Sequence, residues 1–373
     1  MKRRDFVTGA AAVSGTVGLS AVAAPAIAQS RRELTVVGFE GGELTSAYTG
    51  QPTNRFFDWL EHAVDGQLVF SPYGGEVPED GEFEIAMTSE ADAYFAGEYH
   101  WNLHHELFRL FGGAMPMGLS MEEFMGWFYH RGGEGWWNEL GGRFNIRAFA
   151  ADTLGYQSVG WFTEEIHSVD DFRGKAMDMP GVIGYIMRAL GADAEDYILE
   201  GPIVEALRDG TIFAAERSSP ANDMPDGYHR GAKYFYPEVL HEPHTFTALG
   251  LNMDTWNSLS PKHRRTIREI SMAHLGFAMA ESTANNAAAL RALREDHDIQ
   301  IMRFPREVML RFCELSAQFV REEIAATDEF SKRVVDSYID YRAQAIEWSE
   351  VTVGRYLENR RLPFSYTSSS RLD

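Results

Sequence analysis

Hydrophobic positions in the first part of the chain alternate between the two-residue period of a strand and the 3.6-residue period of a helix. ELTVVGF, at residues 33–39, predicts the first strand. NRFFDWLEHAVDG follows with helical spacing and ends at Gly66, a typical helix C-terminus. QLVFSPYGGE predicts a second strand and turn, and GEFEIAMTSEADAYF a third short strand. The order strand, helix, strand indicates a β-α-β unit with a right-handed crossover.

The middle of the chain passes from an aromatic-rich helical pattern to a second alternation of strands and helices. SMEEFMGWFYHRGG begins with the capping box Ser120–Glu123, and RFNIRAFAADTLG returns as a strand. Residues 154–256 then alternate short apolar runs with helix-period segments punctuated by Gly or Pro, which is typical of an α/β lobe. We expect passages between two lobes near residues 153–159 and 246–252, and a third where the chain enters its C-terminal helices.

The C-terminal third predicts long helices. Ser260 and Pro261 suit an N-cap and a first helical position, and the helical pattern continues to the short strand IQIMRF. PREVMLRFCELSAQFVREEIAAT and EFSKRVVDSYIDYRAQAIEWSEVTVGRYLENRR predict two more helices, with the sole cysteine, Cys313, expected as a buried thiol. Residues 363–373 are expected to be disordered. The pattern predicts an α/β protein of two lobes, with long C-terminal helices that brace a hinge or form a dimer.

The N-terminus has the features of an export signal. Arg3 and Arg4 form a twin-arginine pair, an Ala/Gly-rich span follows, and Ala26-Ile27-Ala28 is a small-residue cleavage site. We therefore expect residues 1–28 to be a twin-arginine-type signal peptide and the protein to be periplasmic. An uncleaved membrane anchor is the alternative, although so Ala/Gly-rich a span would sit weakly in hydrocarbon.

Composition narrows the classes of partner. The 373 residues carry a formal net charge of −21, which argues against nucleic acid and anionic membranes. Removing residues 1–28 deletes three basic residues and one acid, a net +2, so the remaining chain carries −23. A single cysteine excludes internal disulfides and thiolate metal sites. The pairs His100/His104 and His241/His244 lack a third ligand or base at zinc-motif spacing, so an enzyme is disfavoured.

Polar side chains at the ends of predicted strands are the strongest candidates for a site. Gln157, Asp178, Glu216 and Arg217 occupy such positions in the second lobe. In α/β proteins the ends of strands line the ligand crevice. No nucleophile with a base and no phosphate loop accompanies them, so the residues predict a binding lobe.

Several segments together resemble the DctP-type substrate-binding proteins of TRAP transporters. They are QSVGWFTEEIHSVDDFRG, GKAMDMPG, EALRDGTIFAAE, YHRGAKYFYP and LGLNMDTWNSLSP, in this order. The branch that binds 2-keto acids is the most similar. The resemblance implies two lobes that close on a solute, delivery to a membrane permease, a dimer built by C-terminal helices, and a bridging cation. Residues 29–154 and 155–245 would be the two lobes, with a return to the first around 246–290, and 291–362 the C-terminal part.

The resemblance also implies roles for individual residues. Gln157 falls on the glutamine that faces solute and cation, and Glu216 on the acidic cation ligand, with Arg217 beside it in the same cation-binding set. Oxygen donors of this kind suit Na⁺ or Ca²⁺. The alternative for Gln157 and Glu216 is that they cap strand ends and hydrogen-bond to loops.

Two positions depart from the family pattern. Asp178 stands where an arginine usually grips the solute carboxylate, and Arg217 where tryptophan is usual. Arg217 could have taken over the carboxylate, with Asp178 orienting it or joining the cation shell. Asp178 could instead pair with a cationic group of a zwitterionic or cationic solute. A structural Asp178–Arg217 salt bridge is the third explanation.

The remaining expectations concern the walls of the cleft and the function. Tyr94 and Trp161 could line the cleft or be core residues, and Asn222 is expected near the cleft or hinge. We expect a non-enzymatic protein that binds a small 2-keto- or hydroxy-acid and delivers it to a permease. A ligand sensor with the same fold but no permease is the alternative from another functional class.

Overall fold

The computed structural model describes residues 31–38, 54–78, 81–195 and 203–364. The expected signal peptide, residues 1–28, lies outside these ranges, as does most of the expected disordered tail. The strands are β1 Arg32–Gly38, β2 Leu68–Pro72, β3 Ala93–Gly97, β4 Ile146–Gly155, β5 Gly160–Phe162, β6 Ala176–Asp178, β7 Asp193–Glu195, β8 Ala214–Ala215, β9 Tyr234–Tyr236, β10 Thr245–Asn252 and β11 Gln300–Ile301.

Helices surround these strands. The α-helices are α1 Asn54–Ala63, α2 Glu82–Met87, α3 Leu107–Gly112, α4 Met121–His130, α5 Gly133–Gly142, α6 Gly181–Ala189, α7 Ile203–Asp209, α8 Pro220–Asp226, α9 Met253–Ser258, α10 Pro261–Glu295, α11 Arg306–Phe319, α12 Glu329–Ser349 and α13 Arg355–Asn359. One π-helical turn, Val320–Ile324, follows α11, and another, Glu350–Gly354, joins α12 to α13. None of the helices in the described ranges is long and apolar enough to cross a membrane.

Two mixed sheets form the framework. In the described residues the first sheet has the order β2-β1-β3-β10-β4, with β1 parallel to both β2 and β3 and with β10 antiparallel to both β3 and β4. The second has the order β11-β9-β5-β8-β6-β7, with β6 parallel to β7 and β8 and with β5 antiparallel to β8 and β9. The predicted α/β class with two sheets and long C-terminal helices is confirmed.

The chain passes between the sheets three times. Residues 156–159 lead from β4 to β5, and residues 237–244 lead back from β9 to β10. The second passage precedes its predicted position, because residues 246–252 already belong to β10. Helix α10 makes the third passage: it packs on β4 and on α8, where the Asn286 side chain accepts a hydrogen bond from the Ala221 amide at 2.9 Å.

The helix signals in the sequence are confirmed in the structure. Ser120 caps α4, with the Glu123 amide donating to its hydroxyl at 3.4 Å and its own amide donating to the Glu123 carboxylate at 2.9 Å. Ser260 caps α10, and Pro261 is the first residue of that helix. Each cap satisfies backbone donors that have no partner within the helix.

Two expectations are corrected by the structure. The strand expected within GEFEIAMTSEADAYF is present at its end, as Ala93–Gly97, but the first part, GEFEIAM, forms helix α2. So short an apolar run fits both periods, and its packing against β1 and β3 decides. Cys313 is exposed, because its neighbour Phe312 occupies the core-facing position of α11. The largest core cluster joins residues of both sheets and of the C-terminal helices, so the helices tie the two sheets together.

Candidate functional site

The ends of β6 and β8 bring two acidic residues together. Asp178 is the last residue of β6, and Glu216 follows β8 directly. The two strands are parallel, and the Glu216 amide donates to the Asp178 carbonyl at 2.9 Å. Both residues are buried. Because parallel strands present their carboxyl ends at one edge, these two predicted site residues share the edge where α/β sheets bind ligands.

Gln157 lies in the first passage between the sheets and is anchored by its amide nitrogen. Nε2 donates to Glu242 Oε2 and to Thr245 Oγ1, both at 2.6 Å. The Thr245 hydroxyl in turn donates to Glu242 Oε2 at 3.1 Å. Both amide protons of Gln157 are therefore used within the protein. The amide oxygen is the end of this side chain that remains for a cation or a solute.

His241, in the second passage, lies close to Glu216 at the end of β8. Its Nε2 lies 3.7 Å from Glu216 Oε1, and the imidazole is almost fully buried. Neither ring nitrogen has a hydrogen-bond partner within the described residues. Burial lowers the pKa of His241, so the ring is neutral at pH 7. A buried imidazole with both nitrogens unpartnered is unusual and points to a group that the protein alone does not supply.

Several charges converge on one buried hydroxyl. Burial raises the pKa of Tyr228, and the charges of Arg217, Asp223, Asp178 and Glu216 all act on that group. The structure therefore groups three of the predicted site residues, Asp178, Glu216 and Arg217, in one electrostatic cluster.

Glu242 adds another acid to this cluster. Burial raises the pKa of its carboxyl and the Glu216 charge raises it further, whereas His241 and Arg109 lower it. We call Gln157, Glu216, His241, Glu242 and Thr245 the crossing cluster.

Arg217 lies at the outer edge of the site. Its Nε approaches Asp226 Oδ2 at 3.5 Å, and its side chain is 35 % exposed. A guanidinium has only donors, so the Arg217 side chain cannot coordinate a cation, and only its backbone carbonyl could. Its predicted membership of the cation-binding set therefore does not extend to the side chain.

The aromatic candidates are core residues in this structure. Tyr94 and Trp161 are fully buried. The Tyr94 hydroxyl donates to Glu98 Oε2 at 2.7 Å, away from the crossing cluster. The Trp161 ring packs against Phe235 at a tilt of 37°. Its indole nitrogen donates to Asp223 Oδ2 at 2.8 Å, so Trp161 holds an acid next to the site.

Asn222 also acts locally. It lies in α8 and its amide nitrogen donates to Ser218 Oγ at 3.0 Å. That contact stabilises the loop that follows Glu216 and Arg217.

The sequence did not single out Glu242, His241 or Asp223 as parts of this site. HEPH at residues 241–244 lacks the spacing of a zinc motif, and His241 and Glu242 lie in an irregular passage between the sheets. Their position between two predicted lobes could have indicated them, because the second passage brings Glu242 to Gln157 of the first passage. His104 forms an ion pair with Glu84 at 2.9 Å, and His100 lies in a 3₁₀ segment, so the two do not share an α-helical face.

The donor set fits a hard cation in part. The Gln157 amide oxygen and the Glu216 carboxylate are oxygen donors of the kind that Na⁺ and Ca²⁺ prefer. Among the described residues, no group of three or more His, Cys, Asp and Glu side chains is placed to hold a metal ion. A cation here would complete its coordination with amide, backbone, water and solute oxygens.

Comparison with known proteins gives this arrangement a context. The chain is 27 % identical over 314 residues to the monocarboxylate 2-oxoacid-binding periplasmic protein of Nostoc sp. strain PCC 7120, covering 84 % of this chain and 82 % of that protein. Its fold resembles a TRAP periplasmic solute-binding protein from Colwellia psychrerythraea with bound calcium and pyruvate, with a TM-score of 0.78, 24 % identity, and coverage of 88 % and 99 % of the two chains.

A second solved structure gives the same result. The TRAP periplasmic solute-binding protein from Pseudoalteromonas atlantica T6c, with bound sodium and pyruvate, has a TM-score of 0.76 and 24 % identity, with coverage of 88 % of this chain and 99 % of that chain. The family model that describes bacterial extracellular solute-binding proteins of family 7, DctP, matches residues 44–327, well over half of the chain. The chain therefore belongs to the DctP family of bacterial extracellular solute-binding proteins.

Proposed function

We propose that this protein is the extracytoplasmic solute-binding subunit of a TRAP transporter and captures a small monocarboxylate 2-oxo acid together with Na⁺ or Ca²⁺. Family membership supports solute binding, and the relatives described above bind 2-oxo acids, two of them with a metal ion. A membrane permease is the partner that receives the solute. The protein binds its solute and does not convert it.

The observation that carries the proposal is the crossing cluster. Gln157 directs its amide oxygen away from Glu242 and Thr245, and Glu216 lies beside a neutral buried imidazole. A bound cation would bridge the Gln157 oxygen, the Glu216 carboxylate and oxygens of the solute. Asp178, at the same sheet edge as Glu216, would contribute to the solute's surroundings.

The position of the crossing cluster explains how solute binding would be coupled to a change in the shape of the protein. The cluster combines residues 157 and 241–245 from the two passages with Glu216 from the second sheet. A solute held here contacts both sides of a hinge, and contacts made only in the closed form shift the equilibrium toward closure. Residues 29–154, with a return around 246–290, and residues 155–245 are the two lobes in this proposal.

Location and assembly complete the proposal. Residues 1–28 act as a twin-arginine signal peptide, which places the protein in the periplasm. The C-terminal helices form a homodimer. Support comes from the exposed apolar side chains of these helices and of the residues that follow them: Leu310, Ile339, Ile346, Trp348, Val351, Val353, Tyr356, Leu357, Leu362 and Phe364.

The dimer proposal is tested by introducing charge into this surface. Three of its members, Ile339, Ile346 and Val353, follow at intervals of seven residues, and Trp348 is 68 % exposed. Trp348→Glu should give a monomer by light scattering, because burying an unpaired carboxylate opposes association. Lys332→Glu, a charge change on an exposed residue of the same helix, should leave the dimer intact. A dimeric Trp348→Glu protein would contradict this assembly.

One observation favours a second candidate solute. The site and its surroundings contain the acids Asp178, Glu216, Asp223 and Glu242, and Asp178 is buried at the strand end. A buried carboxylate at this point suits an ammonium group better than a carboxylate. A zwitterionic or cationic solute of similar size is therefore the alternative, and a sensor without a permease would use the same site.

A thermal-shift screen of the purified protein tests the choice of solute. Pyruvate, lactate, alanine and 2-aminopropanol would each be added after metal removal, and again with Ca²⁺ or Na⁺. A ligand that binds the folded state raises the melting temperature by mass action. The proposal predicts a shift with pyruvate that grows when the cation is restored. A shift with 2-aminopropanol and none with pyruvate would establish the alternative.

A further inference from the structure

Arg109 places a guanidinium group at the contact between the two sheets and their helices. The residue lies in α3, which packs on β10 of the first sheet. Its Nη1 lies 3.8 Å from the position that a Cβ on Gly181 would occupy. Gly181 is the first residue of α6 and follows Asp178 by three positions, so the guanidinium of one side meets the strand-end segment of the other.

Two neighbouring side chains fix the orientation of the Arg109 guanidinium. Nε donates to Glu106 Oε2 at 2.7 Å, one turn earlier on the chain. With the Asn102 amide turned so that its oxygen faces Arg109, that oxygen accepts from Nη2 at 2.6 Å. Nη1 makes no hydrogen bond within the described part of the chain. The side chain is 18 % exposed, so it is fixed in place with a donor still available.

Arg109 is also electrostatically coupled to the crossing cluster. Its charge is one of those that oppose burial and lower the pKa of the Glu242 carboxyl. Arg217, the other guanidinium near the site, is directed toward Asp226 and is about twice as exposed. Of the two arginines, Arg109 is therefore the more sheltered, and charge-assisted hydrogen bonds are strongest where water is excluded.

We propose that Arg109 is the specificity-determining residue that receives the carboxylate of the solute, from the side of the cleft opposite Asp178. This inference rests on the proposed function, because it takes the solute to be a carboxylic acid. The planar guanidinium offers Nη1 to one carboxylate oxygen while Glu106 and Asn102 fix its orientation. The cation at Gln157 and Glu216 would take the opposite end of the solute and offset the acids there.

Isothermal titration with pyruvate and methyl pyruvate tests the role of Arg109. The two probes differ in the charge of the carboxyl group, so their affinity ratio reports on its recognition. In Arg109→Gln the preference for pyruvate should fall by about 10- to 100-fold, the range expected when a charged hydrogen bond is lost. Arg109→Lys keeps the charge but loses the planar guanidinium, so its preference for pyruvate should lie between those of wild type and Arg109→Gln. A merely structural loss would weaken both probes equally.

A matched control removes an equivalent guanidinium elsewhere. Arg173 pairs with Asp170 three residues earlier, as Arg109 pairs with Glu106, but its side chain is 76 % exposed. Arg173→Gln should leave the preference for pyruvate unchanged. An unchanged preference in Arg109→Gln, with wild type still selecting pyruvate, would overturn the role of Arg109 alone, as would a loss confined to Arg217→Gln. Wild type that binds no carboxylic acid would overturn this inference and the proposed function together.

Discussion

A buried glutamate and a buried histidine in this chain have opposite surroundings. Glu98, after β3, accepts a hydrogen bond from the Tyr94 hydroxyl at 2.7 Å and from the Trp137 indole nitrogen at 2.6 Å. Each of its carboxylate oxygens therefore has a partner from the protein. The His241 imidazole, 3.7 Å from Glu216 Oε1, instead has no hydrogen-bond partner for either ring nitrogen within the described residues.

The difference separates a side chain whose hydrogen bonds the fold supplies from one whose hydrogen bonds it does not. A buried polar group whose partners are all supplied by the fold stabilises that fold. A buried polar group whose partners are missing costs stability and indicates that something else completes it. By this criterion Glu98 stabilises the core of the first sheet, whereas His241 supports the proposal that the crossing cluster binds a solute. Substitutions at the two places should therefore act on different measured quantities.

The largest effect is expected at Glu98. Glu98→Ala leaves the Tyr94 hydroxyl and the Trp137 indole nitrogen as buried donors without an acceptor and opens a small cavity. The free energy of unfolding should fall by about 3–5 kcal/mol, measured by urea denaturation. Glu98→Gln retains one acceptor and should lose less. Full stability in Glu98→Ala would show that the Glu98 contacts are not structural.

A smaller effect is expected from pH, again at Glu98. Burial raises the pKa of this carboxyl to about 7 from its usual 4.5. The folded protein therefore holds the proton more tightly than the unfolded chain does. Its contribution is fully present below pH 4.5, decreases as pH rises to about 7, and is constant above, with a total change of roughly 3 kcal/mol. This pH-dependent contribution should be absent when the free energy of unfolding of Glu98→Gln is measured against pH. The same pH dependence in wild type and Glu98→Gln would contradict the raised pKa of Glu98.

The smallest change in stability is expected at His241. His241→Phe keeps the ring and removes two buried nitrogens that have no partner. The free energy of unfolding should stay the same or rise by up to about 1 kcal/mol, while affinity for the solute falls. Thermal denaturation with and without solute measures both. Destabilisation comparable to that of Glu98→Ala would place His241 with the structural group and remove the contrast.

Local patterns predicted a good part of the fold. The 35-residue helix α10, its Ser260 cap and the capping box of α4 were all readable, because a cap and a long periodic stretch are local signals. GEFEIAM and Cys313 failed because a six-residue run or a one-position change of helical phase is decided by tertiary packing. The two lobes were indicated by the second alternation of strands and helices at residues 154–256, and the resemblance to the family implied the same arrangement.

The sequence predicted candidate site residues only where they lie at or near the end of a strand. Gln157, Asp178 and Glu216 could be named in advance, since Asp178 ends a strand, Glu216 directly follows one and Gln157 lies two residues after another. His241 and Glu242 could not, because they reach the cluster from the second passage, and Arg109, proposed above as a specificity residue, comes from α3. Such long-range placement leaves no periodic signal. Tyr94 and Trp161 show the converse, since large aromatic side chains near strands are as compatible with a core as with a cleft wall.

The most direct test of the crossing cluster is titration calorimetry of wild type and Glu216→Gln with pyruvate, after metal removal and with Ca²⁺ restored. Wild type should bind pyruvate more tightly with Ca²⁺. Glu216→Gln should keep its melting temperature within a few degrees but bind pyruvate at least about tenfold more weakly with Ca²⁺ present, because an amide replaces a charged oxygen donor. Equal affinity of the two proteins at both Ca²⁺ levels would contradict the account.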